Sequence, residues 1–213
     1  MIRAVVFDVG ETLVDETRQW GIWADRLGIS RFTFFAALGA VIQRGEHHRR
    51  VFDLVAPGVD IASIEAGMAA SGTAYRIEQQ DLYPDALPCL ARLRAAGILV
   101  GIAGNQPHGA DEALQSCGLD ADFVASSASL GVEKPSADFF DKLIDLIGFP
   151  PDQIAYVGDR LDNDILPARS AGLIAIFLRR GPWGVLHPDL PGCKQAHARL
   201  ASLHELPEVI AAL

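Results

Sequence analysis

Short apolar runs rich in β-branched residues alternate with helical segments that stop at glycine, and no other feature constrains the fold as strongly. The runs fall at residues 4–7, 98–103, 123–126, 154–157 and 173–178. Helical periodicity occupies residues 86–96, 110–117, 137–147 and 164–171, with Gly97, Gly118, Gly148 and Gly172 at the stops. Runs that are apolar almost throughout read as strands buried on both faces, which is the pattern of a parallel sheet with helices on either side. The expected class is α/β, a parallel Rossmann-like sheet, and 213 residues suffice for one such core plus a small second lobe.

One stretch breaks the rhythm. Residues 15–82 hold no convincing strand, only helical candidates at 17–27, 31–44, 47–55 and 61–70. The expected organisation is therefore a core from residues 1–14 and 83–213, with a helical insert at 15–82. Ligands of open parallel sheets bind beyond the carboxyl ends of the strands, so an insert leaving from the first strand is placed to cap that site. Towards the end of the chain, residues 181–184 and 188–192 read as turn and loop, 198–200 as a short strand and 203–213 as a closing helix.

Charge and cysteine content narrow the function. Lys and Arg number 18 against 27 Asp and Glu, a net charge of −9, which disfavours a general nucleic-acid binder. No segment is long and apolar enough to span a bilayer, so no membrane partner is expected. Asp8 interrupts the first apolar run, so the amino terminus does not read as a secretory signal. Cys89, Cys117 and Cys193 lie far apart without a CxxC pair, which argues against a disulfide framework or zinc site and points to a reducing cytoplasm.

Chemistry concentrates at strand ends. The first strand runs into Phe7-Asp8-Val9-Gly10-Glu11-Thr12-Leu13, and the fourth into Gly158-Asp159 with Asp164 five residues on. An ionised Asp at the tip of a buried strand is costly unless paired, and such a group suits a metal ligand or a nucleophile. Carboxylates from separate strand tips would make an oxygen-rich pocket suited to Mg²⁺. Asp162 reads instead as helix-terminal charge matching. Lys134, ahead of Pro135, would neutralise the cluster, since opposite charges ~4 Å apart interact by about 4 kcal/mol at an effective dielectric near 20. Residues 46–50 (Glu46-His47-His48-Arg49-Arg50) lack the spacing for paired His ligands and read as an exposed polar face. Trp20 and Trp23 read as core of the insert.

These pieces, in this order, resemble the haloacid dehalogenase-like hydrolase superfamily. Asp8 and Thr12 match the outer positions of its first motif, D-x-D-x-T. Gly104 before Asn105 stands at the second, Lys134 before Pro135 at the third, and Gly158, Asp159 and Asp164 at the fourth. The resemblance covers roughly residues 2–178. It implies a Mg²⁺-dependent phosphatase acting on a small phosphorylated metabolite, with Asp8 as nucleophile and Lys134 pairing with Asp8 and the phosphate. It places Asp8, the carbonyl of Gly10, Asp159 and Asp164 around the metal, and Gly104 and Asn105 at the phosphoryl group. Two positions depart from the pattern: Gly10 replaces the proton-transferring Asp, and Gly104 replaces a hydroxyl. Loss of a general acid–base costs typically ~10²–10⁴ in rate, so reduced efficiency is expected. Glu11 is the nearest substitute, but its side chain is expected on the other side of the chain in a solvated or capping role. The alternatives are a 2-haloacid dehalogenase, which would not need the metal acids, and a non-catalytic protein that binds metal or phosphate.

Overall fold

A computed structural model describes residues 1–213. Six strands form one all-parallel sheet: β1 (Ala4–Phe7), β2 (Leu99–Gly104), β3 (Phe123–Ser126), β4 (Ile154–Gly158), β5 (Ile174–Leu178) and β6 (Ala198–Leu200). Their order across the sheet is β3-β2-β1-β4-β5-β6. Ala4 of β1 pairs with Leu99 on one side and Ile154 on the other, so β1 is central.

The chain divides into two compact units, Glu16–Arg76 and the remainder, Met1–Asp15 with Ile77–Leu213. The smaller unit holds α1 (Thr17–Arg26), α2 (Arg31–Gln43), α3 (Arg50–Val55) and α4 (Ile61–Ala70). Ser30 and Asp60 cap α2 and α4 by accepting the amides of Thr33 and Ser63. Its core is aromatic: Trp20, Trp23, Phe34 and Phe52 pack ring to ring, Trp23 and Phe52 with centroids 4.7 Å apart. The 46–50 segment is exposed apart from His48, whose ring meets Trp20 edge-on.

In the larger unit the helices are α5 (Ala86–Ala95), α6 (Ala110–Ser116), α7 (Ser127–Leu130), α8 (Ala137–Ile147), α9 (Leu166–Ser170), α10 (Gly181–Leu186) and α11 (Leu206–Ala212). Alternate side chains of each strand feed two separate cores. Val5, Phe7, Val100, Ile102 and Val157 pack against α5, α6 and α11, through residues such as Leu90, Leu93, Leu114 and Leu206. Ala4, Val6, Tyr156 and Phe177 pack on the other face against α8 and α9, through Phe139, Phe140, Leu143 and Ala168. Strands buried on both faces account for the nearly continuous apolar runs.

Residues 77–82 lie with the larger unit. Asp15 donates its amide to the Asp81 carbonyl, Tyr83 to the Leu13 carbonyl, and Val14 and Leu82 bridge antiparallel. The Gly181-Pro-Trp-Gly184 stretch is helical, not a turn. Pro182 sits in the first turn of α10, where its missing N–H costs nothing, and Trp183 is buried. No helix is long and apolar enough to cross a membrane, and the three cysteines are buried and unbridged.

Candidate active site

The strand order reverses at β1, because β2 lies on one side and β4 on the other. The carboxyl ends flanking such a reversal form the crevice where open α/β sheets bind ligands. Asp8 follows β1 and donates its amide to the Val157 carbonyl at 2.9 Å, which ties it to the end of β4. Asp159 follows β4 directly, while Gly104 ends β2 and Asn105 comes next.

Lys134 joins the cluster from a separate loop. Its Nζ donates to Asp8 Oδ1 and to Asp164 Oδ1, both at 2.6 Å, with the ammonium wholly buried. Burial alone would push this lysine down, but the charges of Asp164 and Asp8 outweigh it and hold its pKa well above the ordinary value. Asn105 sets the lysine's place. Its Oδ1 accepts the Lys134 amide at 2.8 Å and its Nδ2 donates to the Lys134 carbonyl at 2.9 Å.

Asp164 is carried by a π-type turn, Leu161–Ile165, in which the amides of Asp164 and Ile165 both donate to the Arg160 carbonyl. Such turns re-aim a side chain within an otherwise helical segment. Asp164 Oδ2 accepts the Arg160 amide at 3.0 Å. Burial raises the Asp164 pKa to about 6 against the opposing pull of Lys134.

Asp159 stands apart. It is 1% exposed, and neither carboxylate oxygen has a hydrogen-bond partner. Burial, then the charges of Asp164, Asp8 and Glu11, push its pKa well above the carboxylate range. Carboxylate oxygens of Asp8, Asp159 and Asp164 lie within 4.8 Å of one another, so three formal negative charges meet the one positive charge of Lys134. An oxygen-only set with an orphaned, desolvated carboxylate fits a hard divalent cation of the Mg²⁺ type.

Two glycines stand where the family pattern has side chains. A Cβ on Gly104 would fall 2.7 Å from Asp8 Oδ1, so a hydroxyl-bearing residue there would displace the carboxylate as Lys134 holds it. Gly10 adds no side chain and is not in the left-handed region. That conformation belongs to its neighbour Glu11, at φ 53°.

Glu11 corrects the sequence reading. It is buried rather than solvated, and its Oε2 accepts the Tyr83 hydroxyl at 2.6 Å. Burial and the Glu11 carboxylate raise the Tyr83 pKa, which keeps the phenol a donor. Arg180 lies over the Tyr83 ring at 4.0 Å, donates to the Thr12 carbonyl at 2.8 Å and pairs with Asp85. Asp85 Oδ2 also accepts the Ser202 hydroxyl at 2.6 Å and the Leu203 amide at 2.9 Å. Sequence reasoning missed Tyr83, Asp85 and Arg180. The available signal was Arg179-Arg180, charges directly after a buried strand, the same rule that singled out Asp8.

A doubly wound parallel sheet with a lysine-bridged carboxylate cluster at its switch point defines a class of α/β hydrolases. The family model described as haloacid dehalogenase-like hydrolase matches residues 2–172, and the chain belongs to that family. A glyceraldehyde 3-phosphate phosphatase of Methanopyrus kandleri is 32% identical over 206 residues, covering 88% of each chain. A phosphoserine phosphatase of Thermus thermophilus is 34% identical over 113 residues, 52% of this chain and 44% of that protein. Among solved structures, a phosphatase of the same superfamily from Thermococcus onnurineus superimposes with a TM-score of 0.63 at 23% identity, covering 98% of both chains. The L-2-haloacid dehalogenase of Xanthobacter autotrophicus, with chloropropionic acid covalently bound, gives 0.70 at 19% identity over the full length of both. At these identities the two structures bear on the fold alone.

Proposed function

We propose that the protein is a Mg²⁺-dependent phosphatase that hydrolyses a small phosphomonoester through an aspartyl-phosphate at Asp8. The observation that carries this reading is the orphaned Asp159 carboxylate beside Asp8 and Asp164. A desolvated carboxylate with no partner has little use in a fold except to meet a cation. Asp8, Asp159 and the Gly10 carbonyl are the proposed ligands, with Asp164 in support. When bound, the cation neutralises charge on the phosphoryl group and on the attacking carboxylate.

The chain's own residues do the rest. Lys134 holds Asp8 Oδ1 and offsets the charge of the incoming phosphate. Its buried ammonium, carried on a main chain that Asn105 clamps, holds the nucleophile's carboxylate in place. The backbone N–H groups of Gly104 and Asn105 are the proposed donors to phosphoryl oxygens, since the Asn105 amide is engaged on Lys134. An open groove of ≈ 470 Å³ lined by Asn105, Gln106, Ser127 and Glu133 adjoins this loop. The helical insert is the proposed cap that selects the substrate. The relatives' named substrates, glyceraldehyde 3-phosphate and phosphoserine, are small phosphomonoesters and are the first compounds to test. The dehalogenase alternative leaves Asp159 without a task.

The experiment is phosphate release from these esters and from an aryl phosphate, with and without Mg²⁺, by wild type and Asp8→Asn. Mg²⁺-dependent turnover lost in the near-isosteric Asp8→Asn is the expected outcome. Turnover surviving that change at the wild-type rate would remove Asp8 as nucleophile. Chloride release from a 2-chloro acid without phosphate release would favour the dehalogenase.

A further inference from the structure

The loop after the nucleophile contains one non-glycine residue in the left-handed region, Glu11. An L residue with a long side chain rarely adopts this conformation, and it persists only where its surroundings over-determine it. Those surroundings are specific. The Tyr83 hydroxyl donates to Glu11 Oε2 at 2.6 Å. Gly181 lies against the same carboxylate, and a Cβ there would fall 2.4 Å from Oε2 and 2.6 Å from the Glu11 Cβ. The slot for Glu11 therefore exists only because residue 181 is glycine. Tyr83 is itself fixed, by its amide on the Leu13 carbonyl at 3.0 Å and by Arg180 over its ring.

The loop tightened in this way is the one that presents Asp8. The Glu11 amide donates to the Val14 carbonyl at 2.7 Å, and the amides of Leu13 and Val14 turn back to the Val9 carbonyl at 2.9 and 3.0 Å. A change in the Glu11 backbone would pass through these bonds to Val9, next to the nucleophile.

We propose that Glu11 and Tyr83 are a positioning pair, in which the phenol holds the Glu11 side chain against Gly181 and so keeps the nucleophile loop in its working conformation. The pair rests on the phosphatase reading of Asp8 for its catalytic consequence. The competing role, Glu11 as the proton-transfer group that Gly10 lacks, makes different demands: it needs the carboxylate itself, whereas a tether needs only an acceptor and a stable backbone.

The test compares Tyr83→Phe, Glu11→Ala, Glu11→Gln, Glu11→Gly and the Tyr83→Phe/Glu11→Gly double variant, by aryl-phosphate kinetics with Mg²⁺ and by melting temperature. Tyr83→Phe and Glu11→Ala should lower kcat roughly tenfold with KM little changed, within the range for small misplacements of a reacting group. Glu11→Gln keeps an acceptor for the phenol and should retain most of kcat. Glu11→Gly should lose less than Glu11→Ala, because glycine takes the left-handed conformation without a tether. In that glycine background Tyr83→Phe should cost little more. Glu11→Gln as impaired as Glu11→Ala would overturn the tether in favour of carboxylate chemistry. An equal cost of Tyr83→Phe in both backgrounds would overturn the coupling. A wild type without phosphate turnover would strike the phosphatase reading instead, and the melting temperatures then decide the tether alone: a cost of Tyr83→Phe that shrinks in the Glu11→Gly background supports it, and an equal cost in both overturns it.

Discussion

Gly10 stands where the family pattern has its proton-transferring Asp. A glycine at this position suggests a positive φ that would penalise a side chain. The left-handed residue is Glu11, so Gly10→Asp meets no such backbone penalty. The new carboxyl would stand two residues beyond the nucleophile, where the family keeps its proton-transfer group. We expect aryl-phosphate turnover to rise, by up to the ~10²–10⁴ ascribed to general acid–base catalysis, about 3–5 kcal/mol of barrier. The Mg²⁺ requirement should stay. An unchanged kcat in a folded Gly10→Asp variant would mean that the proton already has another carrier. Most residues of the site were legible at this scale: Asp8, Lys134, Asp159 and Asp164 were singled out by their positions and do converge. What was not legible is how side chains are used. The sequence places Asn105 at the phosphoryl group but does not reveal that its side-chain amide engages the Lys134 main chain. The sequence suggests a solvated or capping role for Glu11, which is instead buried against Tyr83. Side-chain direction in an irregular loop follows from φ and ψ, which local sequence does not dictate.

Between elements, the carboxyl ends of the strands are held by an ion pair that no motif announces. Asp85, next to α5, gathers Arg180 after β5 and the Ser202–Leu203 segment before α11. Asp85 is 5% exposed and Arg180 half-buried, so removing the Asp85 charge leaves Arg180 without its counter-ion. Breaking a fully buried pair from one side costs typically ~3–5 kcal/mol, and Asp85→Asn, which leaves a half-buried arginine, should lose less than that. Burial tends to raise the Asp85 pKa, but the Ser202 hydroxyl, Arg180 and the Leu203 amide outweigh it and hold it below the ordinary value. A depressed folded-state pKa gives stability that is full above the unfolded value, near 3.9, and fades as pH falls through the folded one. Wild type should therefore melt well above Asp85→Asn at pH 7, with the gap closing only below about pH 4. A gap independent of pH would mean that the loss is one of packing. Strand and helix positions in the core were readable because periodicity and Gly stops are local signals, and Gly97, Gly118, Gly148 and Gly172 all take positive φ. Ion pairs such as Asp85–Arg180 span 95 residues of sequence and leave no such trace.

For the molecule as a whole, the order of the strands decides which residues meet at the candidate site, and it is the property least visible in the sequence. Alternating strands and helices imply a parallel sheet, but only the order β3-β2-β1-β4-β5-β6 sets the tips of β1 and β4 side by side. That adjacency brings Asp8 and Asp159 together across 151 residues and concentrates negative charge at one point of a chain already at net −9. Without a cation the repulsion is borne by the fold, and Asp159 has no hydrogen bond to offset its desolvation. A cation that binds the folded chain and not the unfolded one stabilises by RT ln(1 + [L]/Kd), about 2.7 kcal/mol at a hundredfold excess over Kd. Millimolar Mg²⁺ should therefore raise the melting temperature of wild type. Asp159→Asn should have two effects of opposite sign. It removes a buried carboxyl group that has no hydrogen-bond partner, so the metal-free variant should melt at or above metal-free wild type. It also removes a ligand, so the Mg²⁺ shift should disappear. Loss of the shift in a variant that melts far below wild type would reflect damage to the fold. A wild type whose melting temperature ignores Mg²⁺, while Asp159→Asn is markedly stabilised, would show a buried acid kept for some purpose other than a metal.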